Sequence, residues 1–157
     1  MGEEAAVQVI RVPRFVRIFG PVTRWLLRAG LPMGPNALLT VKGRRSGQPR
    51  TTPVAVFEAD GRRWTQSAFG EVQWVRNLRA ARRAVLQTGR KTEFVSAREL
   101  SKEQATDVFA HILAPQIRGY PVPLRWLLPS MLGIRDIIDD PAAAAQRHPV
   151  FELRSEP

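Results

Sequence analysis

The 157-residue chain has no cysteine, two histidines and a single tyrosine. The missing thiols exclude a disulfide framework and any thiolate nucleophile or thiolate metal site. His111 and His148 lie far apart, and neither stands at ligand spacing from another histidine or a carboxylate, so no metal motif is expected. A lone histidine of this kind reads as structural. No paired carboxylates flank a plausible cleft, and Asp139-Asp140 reads as a turn before Pro141. No run of about 18 apolar residues occurs, which gives no membrane-spanning helix. The start of the chain, with Glu3 and Glu4, lacks a cleavable signal pattern, and the expected location is the cytoplasm. If the chain is an enzyme, a cofactor has to supply the chemistry.

Acid is also missing from a long stretch. Ala5–Phe57 holds no Asp or Glu but nine Arg and Lys, within a chain of net charge +10. A field this lopsided attracts polyanions: nucleic acid, anionic lipid or a phosphorylated cofactor. Solubility alone explains part of such a charge. With 44% hydrophobic and 24% charged residues, the composition is that of one globular domain large enough to bury a core.

Three regions follow from the pattern. Residues 1–36 form a basic helical segment: in 14–29, Phe15, Ile18, Phe19, Val22, Trp25 and Leu26 make one stripe and Arg14, Arg17, Arg24 and Arg28 another. Gly20-Pro21 kinks or breaks it, and Gly30–Asn36 is a linker. Such a helix either covers the core or contacts a membrane surface. Residues 37–100 read as strands at Ala37–Val41, Thr51–Phe57 and Arg63–Ala68, a helix over Glu71–Ala81, and strands at Ala84–Thr88 and Lys91–Leu100. Glu58–Gly61 and Gly89-Arg90 are the hairpin turns. Residues 101–157 begin with a capping box, Ser101 and Gln104, opening a helix with Ala105, Val108, Phe109 and Ile112 on one face. Pro115–Pro141 is apolar but broken by five prolines, which suggests a lid or pocket wall. Pro149–Leu153 is a last strand. This order, with mostly antiparallel connections, gives an α+β fold, a small β-barrel with helices attached.

Two stretches carry candidate chemistry. Between the first two strands, GRRSGQPR gathers Lys42, Arg44, Arg45, Ser46 and Arg50 around Gly43 and Gly47, with no acid nearby. Guanidinium forks and turn N–H groups aimed at one place suit an anion. The turn lacks the Gly-Lys-Ser/Thr ending of a P-loop and lies between strands, which also excludes a Rossmann turn. Alone, it reads as an anion site or as a solvated loop. The second stretch is Gln66-Ser67-Ala68-Phe69-Gly70, followed by Trp74 and Asn77. Small residues at a strand end let a flat ring approach backbone N–H groups. Trp74 also reads as core, and Asn77 as an ordinary helix amide.

Together, GRRSGQPRTTP and SAFGEVQWVRNLRAA resemble the deazaflavin-dependent nitroreductase family, split β-barrel (FMN-binding-like) oxidoreductases of actinobacteria that use coenzyme F420. The resemblance covers about residues 37–100. It implies that Arg44, Arg45, Ser46, Gly47 and Arg50 hold the phosphate and polyglutamate tail. It implies also that Pro53 and Gln66–Gly70 line the deazaflavin, with Trp74 and Asn77 beside it. Reduced F420 would pass a hydride to a quinone, enone or nitroaromatic, with the Pro115–Leu132 segment supplying the acceptor pocket. Two departures stand out: the loop before Trp74 is short, and the tyrosine-rich substrate wall of the nitroreducing members is absent. Tyr120 is left as the one candidate proton donor. Split barrels of this class are often homodimers. FMN or haem in the same barrel, and a basic nucleic-acid-binding module without catalytic activity, are the alternatives. The aromatic residues are not interleaved with the basic ones, as a single-strand binder requires, so nucleic acid is not expected.

Overall fold

The computed structural model describes residues 36–157, so the expectations for 14–29 and for most of the Gly30–Asn36 linker lie outside the described residues. Six strands form a closed barrel in the order β1-β2-β3-β6-β5-β4, every neighbouring pair antiparallel. They are β1 (Asn36–Lys42), β2 (Pro49–Ala59), β3 (Arg62–Gln66), β4 (Arg83–Thr88), β5 (Lys91–Glu99) and β6 (Val150–Ser155). The split-barrel α+β fold expected from the sequence is what forms.

Alternation along the strands sets the barrel interior. Ala37, Leu39 and Val41 of β1 point in with Leu86, Val95 and Leu153, and the intervening residues point out. Helix α1 (Gln73–Ala81) contributes Val75 and Leu78 to this core. Each fully buried side chain of this kind stabilises the fold by roughly 1.5–3 kcal/mol. Arg79, on the exposed face of α1, forks to Glu71 and Glu99, which ties the helix to β5.

A second core lies outside the barrel. Phe57, Trp64 and Val150 project from β2, β3 and β6 under a layer of helices. These are α2 (Lys102–Val108), a π-helical turn (Phe109–Leu113), α3 (Ala114–Arg118), α4 (Leu124–Leu132), α5 (Asp136–Asp139) and α6 (Pro141–Arg147). Both halves of the capping box form: Ser101 Oγ accepts from Gln104 N at 3.2 Å, and Gln104 Oε1 from Ser101 N at 3.1 Å. The two stripes buried on β2, one facing each core, explain why this strand runs to 11 residues.

Several boundaries shift. Strand β2 continues to Ala59, leaving Asp60-Gly61 as the turn where four residues were expected. Strand β3 ends at Gln66 instead of Ala68, because the Ser67 hydroxyl folds back to donate to the Gly70 carbonyl at 2.7 Å. Asp139 is the last residue of α5, and Asp140 caps α6 by accepting from Ala143 N, so this pair does more than make a turn.

Candidate functional site

The basic turn is built by its two glycines. Gly43 N donates to Gln48 O at 2.8 Å, and Gly47 N to Gly43 O at 2.9 Å. A Cβ on Gly43 would meet Ser46 Oγ at 2.8 Å and Gln48 O at 3.1 Å, so a side chain here would have to displace the hydroxyl and press on the carbonyl. Gly47 adopts φ +69°, which side-chain-bearing residues rarely do.

Helix α1 meets this turn. Asn77 is buried, and its Oδ1 accepts from Arg44 N at 3.2 Å and from Arg44 Nη1 at 2.8 Å. Gln73, one turn earlier on the same helix face, accepts from the same Nη1 at 3.0 Å. The two sequence motifs, the GRRSG turn and the Trp-x-x-Asn helix, are therefore joined through one arginine. They enclose a cavity of about 600 Å³ lined by Arg44, Arg45, Ser46, Arg50, Thr51, Gln73, Trp74 and Asn77 among others. No carboxylate among the described residues pairs with Lys42, Arg44, Arg45 or Arg50. Several arginines elsewhere are answered: Arg63 by Glu93, Arg83 by Glu156, and Arg62, Arg98 and Arg154 by Glu152. Trp74 also packs on the barrel core, its ring centroid 6.1 Å from that of Phe151. Trp74 thus lines the cavity and packs on the core at once.

A second cavity, of about 820 Å³, opens further along β2. Ala55 and Phe57 form one wall, the tip of the β4–β5 hairpin (Thr88, Lys91) another, and Leu113, Ile117, Tyr120, Leu124, Pro129 and Ile134 a third. The proline-broken segment is thus a pocket wall, as its composition suggested. At one end Arg63 Nη1 donates to Glu93 at 2.7 Å, and Ser155 Oγ donates to the same carboxylate at 2.6 Å. These bonds hold the Glu93 carboxyl down to about 2, from Arg63 first and Ser155 second. Gln66 also lines this cavity, and its Oε1 is buried without a hydrogen-bond partner.

Alternation places Thr51, Pro53, Ala55 and Phe57 on one face of β2. Thr51 borders the cationic cavity, Ala55 and Phe57 border the apolar one, and Pro53 lies between them. Four residues of strand separate Thr51 from Ala55, about 13 Å.

The other expected ring-lining residues are placed differently. Ser67 and Gly70 are buried, Ala68 packs on the outer core, and none of Ser67–Gly70 lines either cavity. His148, read from the sequence as a structural histidine without ligand spacing to a carboxylate, is fully buried and hydrogen-bonded to Asp136 and to the Ser67 carbonyl. With both ring nitrogens engaged it is not free to ligate a haem iron. Spacing gives no hint of this contact, because α5 and α6 bring the two residues together. Gln73 was also missed, although its position four residues before Asn77 was a usable signal.

Among solved structures, the chain is similar to one described as a domain-swapped dimer, at 20% identity over 90% of this chain and 98% of that one, with a TM-score of 0.48. It is similar also to an F420-H2 dependent reductase (FDR-A), at 22% identity over 76% and 94%, TM-score 0.44. A third is a FAD-binding protein from Mesorhizobium loti, at 17% identity over 85% and 89%, TM-score 0.41. Residues 24–122, more than half of the chain, match the family of F420H(2)-dependent quinone reductases, and the chain belongs to that family.

Proposed function

We propose that the protein reduces a hydrophobic conjugated acceptor, a quinone before an enone or a nitroaromatic, at the expense of reduced F420. The observation that carries this reading is the outer face of β2, which runs from an unanswered cationic cavity to an apolar one. The donor set fits the cofactor. F420 ends in a phosphate and a polyglutamate tail, and the turn offers three guanidinium groups, Arg44, Arg45 and Arg50, that no carboxylate among the described residues pairs with, over a backbone closely packed at Gly43.

In this reading Arg44, Arg45, Ser46 and Arg50 hold the tail, and Gln73 and Asn77 hold Arg44 in place. Pro53 offers a flat, donor-free surface beside the ring, with Trp74 at the helix start. When bound, reduced F420 supplies a hydride, that is, two electrons and one proton. The acceptor needs one more proton to become a hydroquinone, and the Tyr120 hydroxyl or a water at the cavity mouth provides it. Leu113, Ile117 and Leu124 exclude water from the acceptor. Membrane contact through residues 14–29 and homodimer formation belong to the same reading, and vesicle co-sedimentation and sizing check them.

Titration of the purified protein with oxidised and reduced F420, read by fluorescence, tests the proposal. Micromolar or tighter binding is expected, weakened about tenfold or more by Arg44→Ala or Arg50→Ala. No binding overturns it.

A further inference from the structure

Apolar side chains meet solvent most densely where α3 passes into α4. Every residue from Pro121 to Leu127 is exposed. Val122 is 61% exposed, Leu124 40%, Trp126 59% and Leu127 52%, and Arg125 is the one charge among the seven residues. A tip of this composition is costly in water. The stretch of chain that carries it has one sign of charge. From Val108 to Arg135 the sequence has no Asp or Glu, while Arg118, Arg125 and Arg135 are all exposed. Arg135 also sits 5.8 Å from the Trp126 ring centroid, which brings a cation to the edge of the apolar tip.

Two further facts select the occupant. A second copy of this chain is a poor match, because a two-fold contact would set Arg118 and Arg125, which no carboxylate among the described residues pairs with, against themselves, while Arg135 has Asp139 at 4.0 Å. A surface of anionic headgroups over hydrocarbon answers both the arginines and the tryptophan–leucine tip. In addition, Tyr120 and Leu124 belong both to this face and to the wall of the larger cavity, so the cavity mouth opens on the same side.

We propose that residues 120–127 dock on an anionic lipid bilayer and present the mouth of the larger cavity to it. A lipophilic acceptor then moves from the bilayer into the cavity without crossing water. The docking stands on the exposed face alone; only the passage of acceptor rests on the reading of the cavity given above. This surface is distinct from residues 14–29.

Co-sedimentation of the full chain with vesicles of equal parts phosphatidylcholine and phosphatidylglycerol, and with phosphatidylcholine alone, provides the test. Binding to the anionic vesicles is expected. Trp126→Ser/Leu127→Ser should weaken it about tenfold or more, and Arg125→Gln about fivefold. All three residues are exposed, so melting temperature and F420 affinity in solution should stay as in the parent protein. That separates a failure of docking from a failure of the cofactor reading. Three results overturn the proposal. One is absence of vesicle binding. Another is binding that survives Trp126→Ser/Leu127→Ser, which would move the contact to another part of the chain. The third is a dimer in solution that this double variant dissolves, which would make the face an interface between copies.

Discussion

His148 Nε2 lies 3.0 Å from Asp136 Oδ2, and its Nδ1 lies 3.1 Å from the Ser67 carbonyl oxygen. Both ring nitrogens of a fully buried side chain therefore face acceptors. Arg147, 3.2 Å from the same carboxylate oxygen, adds a cation on the solvent side. The arrangement pins the loop after β3 to the helices that cover it. His148→Phe would keep a ring beside Phe109 but strand the Ser67 carbonyl and Asp136. A loss of about 2–4 kcal/mol is expected, or roughly 5–10 °C in calorimetric melting temperature. A variant that melts with the parent would show these bonds contribute nothing net.

Asn77 should matter to the basic turn more than to the helix that carries it. Asn77→Leu keeps the volume and helix propensity but frees Arg44 from two hydrogen bonds. The expected result is an F420 affinity lower by about tenfold, with stability reduced by about 1–2 kcal/mol. Gln73→Leu, which removes one exposed bond, should show a smaller effect of the same sign. Equal affinities in all three proteins would separate α1 from the anion site.

Gly43→Ala tests the turn geometry without touching a charge. The new Cβ would crowd the Gln48 carbonyl, which is backbone and cannot swing away. F420 binding should weaken while binding to the apolar cavity does not. A crystal structure or backbone chemical shifts that show an unaltered turn, with unaltered F420 affinity, would remove the argument for tight closure.

Acid stability follows from two carboxylates. Burial pushes Glu152 up, but hydrogen bonds from Arg62 and Arg98 outweigh it and hold the group down to about 2. Glu93 is held at about 2 by Arg63 and Ser155. Both folded values lie below the ordinary 4.5, so their contribution is complete above pH 4.5 and fades as pH falls toward 2. Each is worth on the order of 2 kcal/mol once solvent around the arginines is allowed for. Denaturant midpoints should hold steady from neutral pH down to about 5 and then drop steeply. Glu152→Gln should flatten that drop, and an unchanged profile would show that its arginines do not hold the charged form.

Tyr120→Phe isolates the proton. If the hydroxyl supplies the second proton to the acceptor, kcat falls about tenfold or more with F420 affinity unchanged. A kcat within a factor of two of the parent assigns that proton to water.

The barrel and the cationic turn were legible because both are written in local pattern. Short apolar and β-branched runs at Ala37–Val41 and Thr51–Phe57, bounded by turn residues, mark the strands, and an acid-free run around Gly43 shows where charge is left unanswered. The proline-broken segment was legible only as a wall, since nothing in it says which side faces a cavity. The His148–Asp136 contact was not legible at all. It depends on how two short helices fold back over β3 and β6, which no periodicity encodes. Ser67–Gly70 misled for a related reason: a small-residue loop looks open in sequence, and here its own hydroxyl and a buried imidazole close it.

Strand β2 also acts as a ruler. Because its side chains repeat on one face every second residue, the distance from charged hold to apolar chamber can change only in steps of about 6.6 Å. A single inserted residue between Thr51 and Ala55 would turn Pro53 toward the barrel interior and bring a core residue out in its place. Substitutions at either end of this strand can therefore alter the cationic cavity or the apolar one separately. The interval between the two ends is not free to drift.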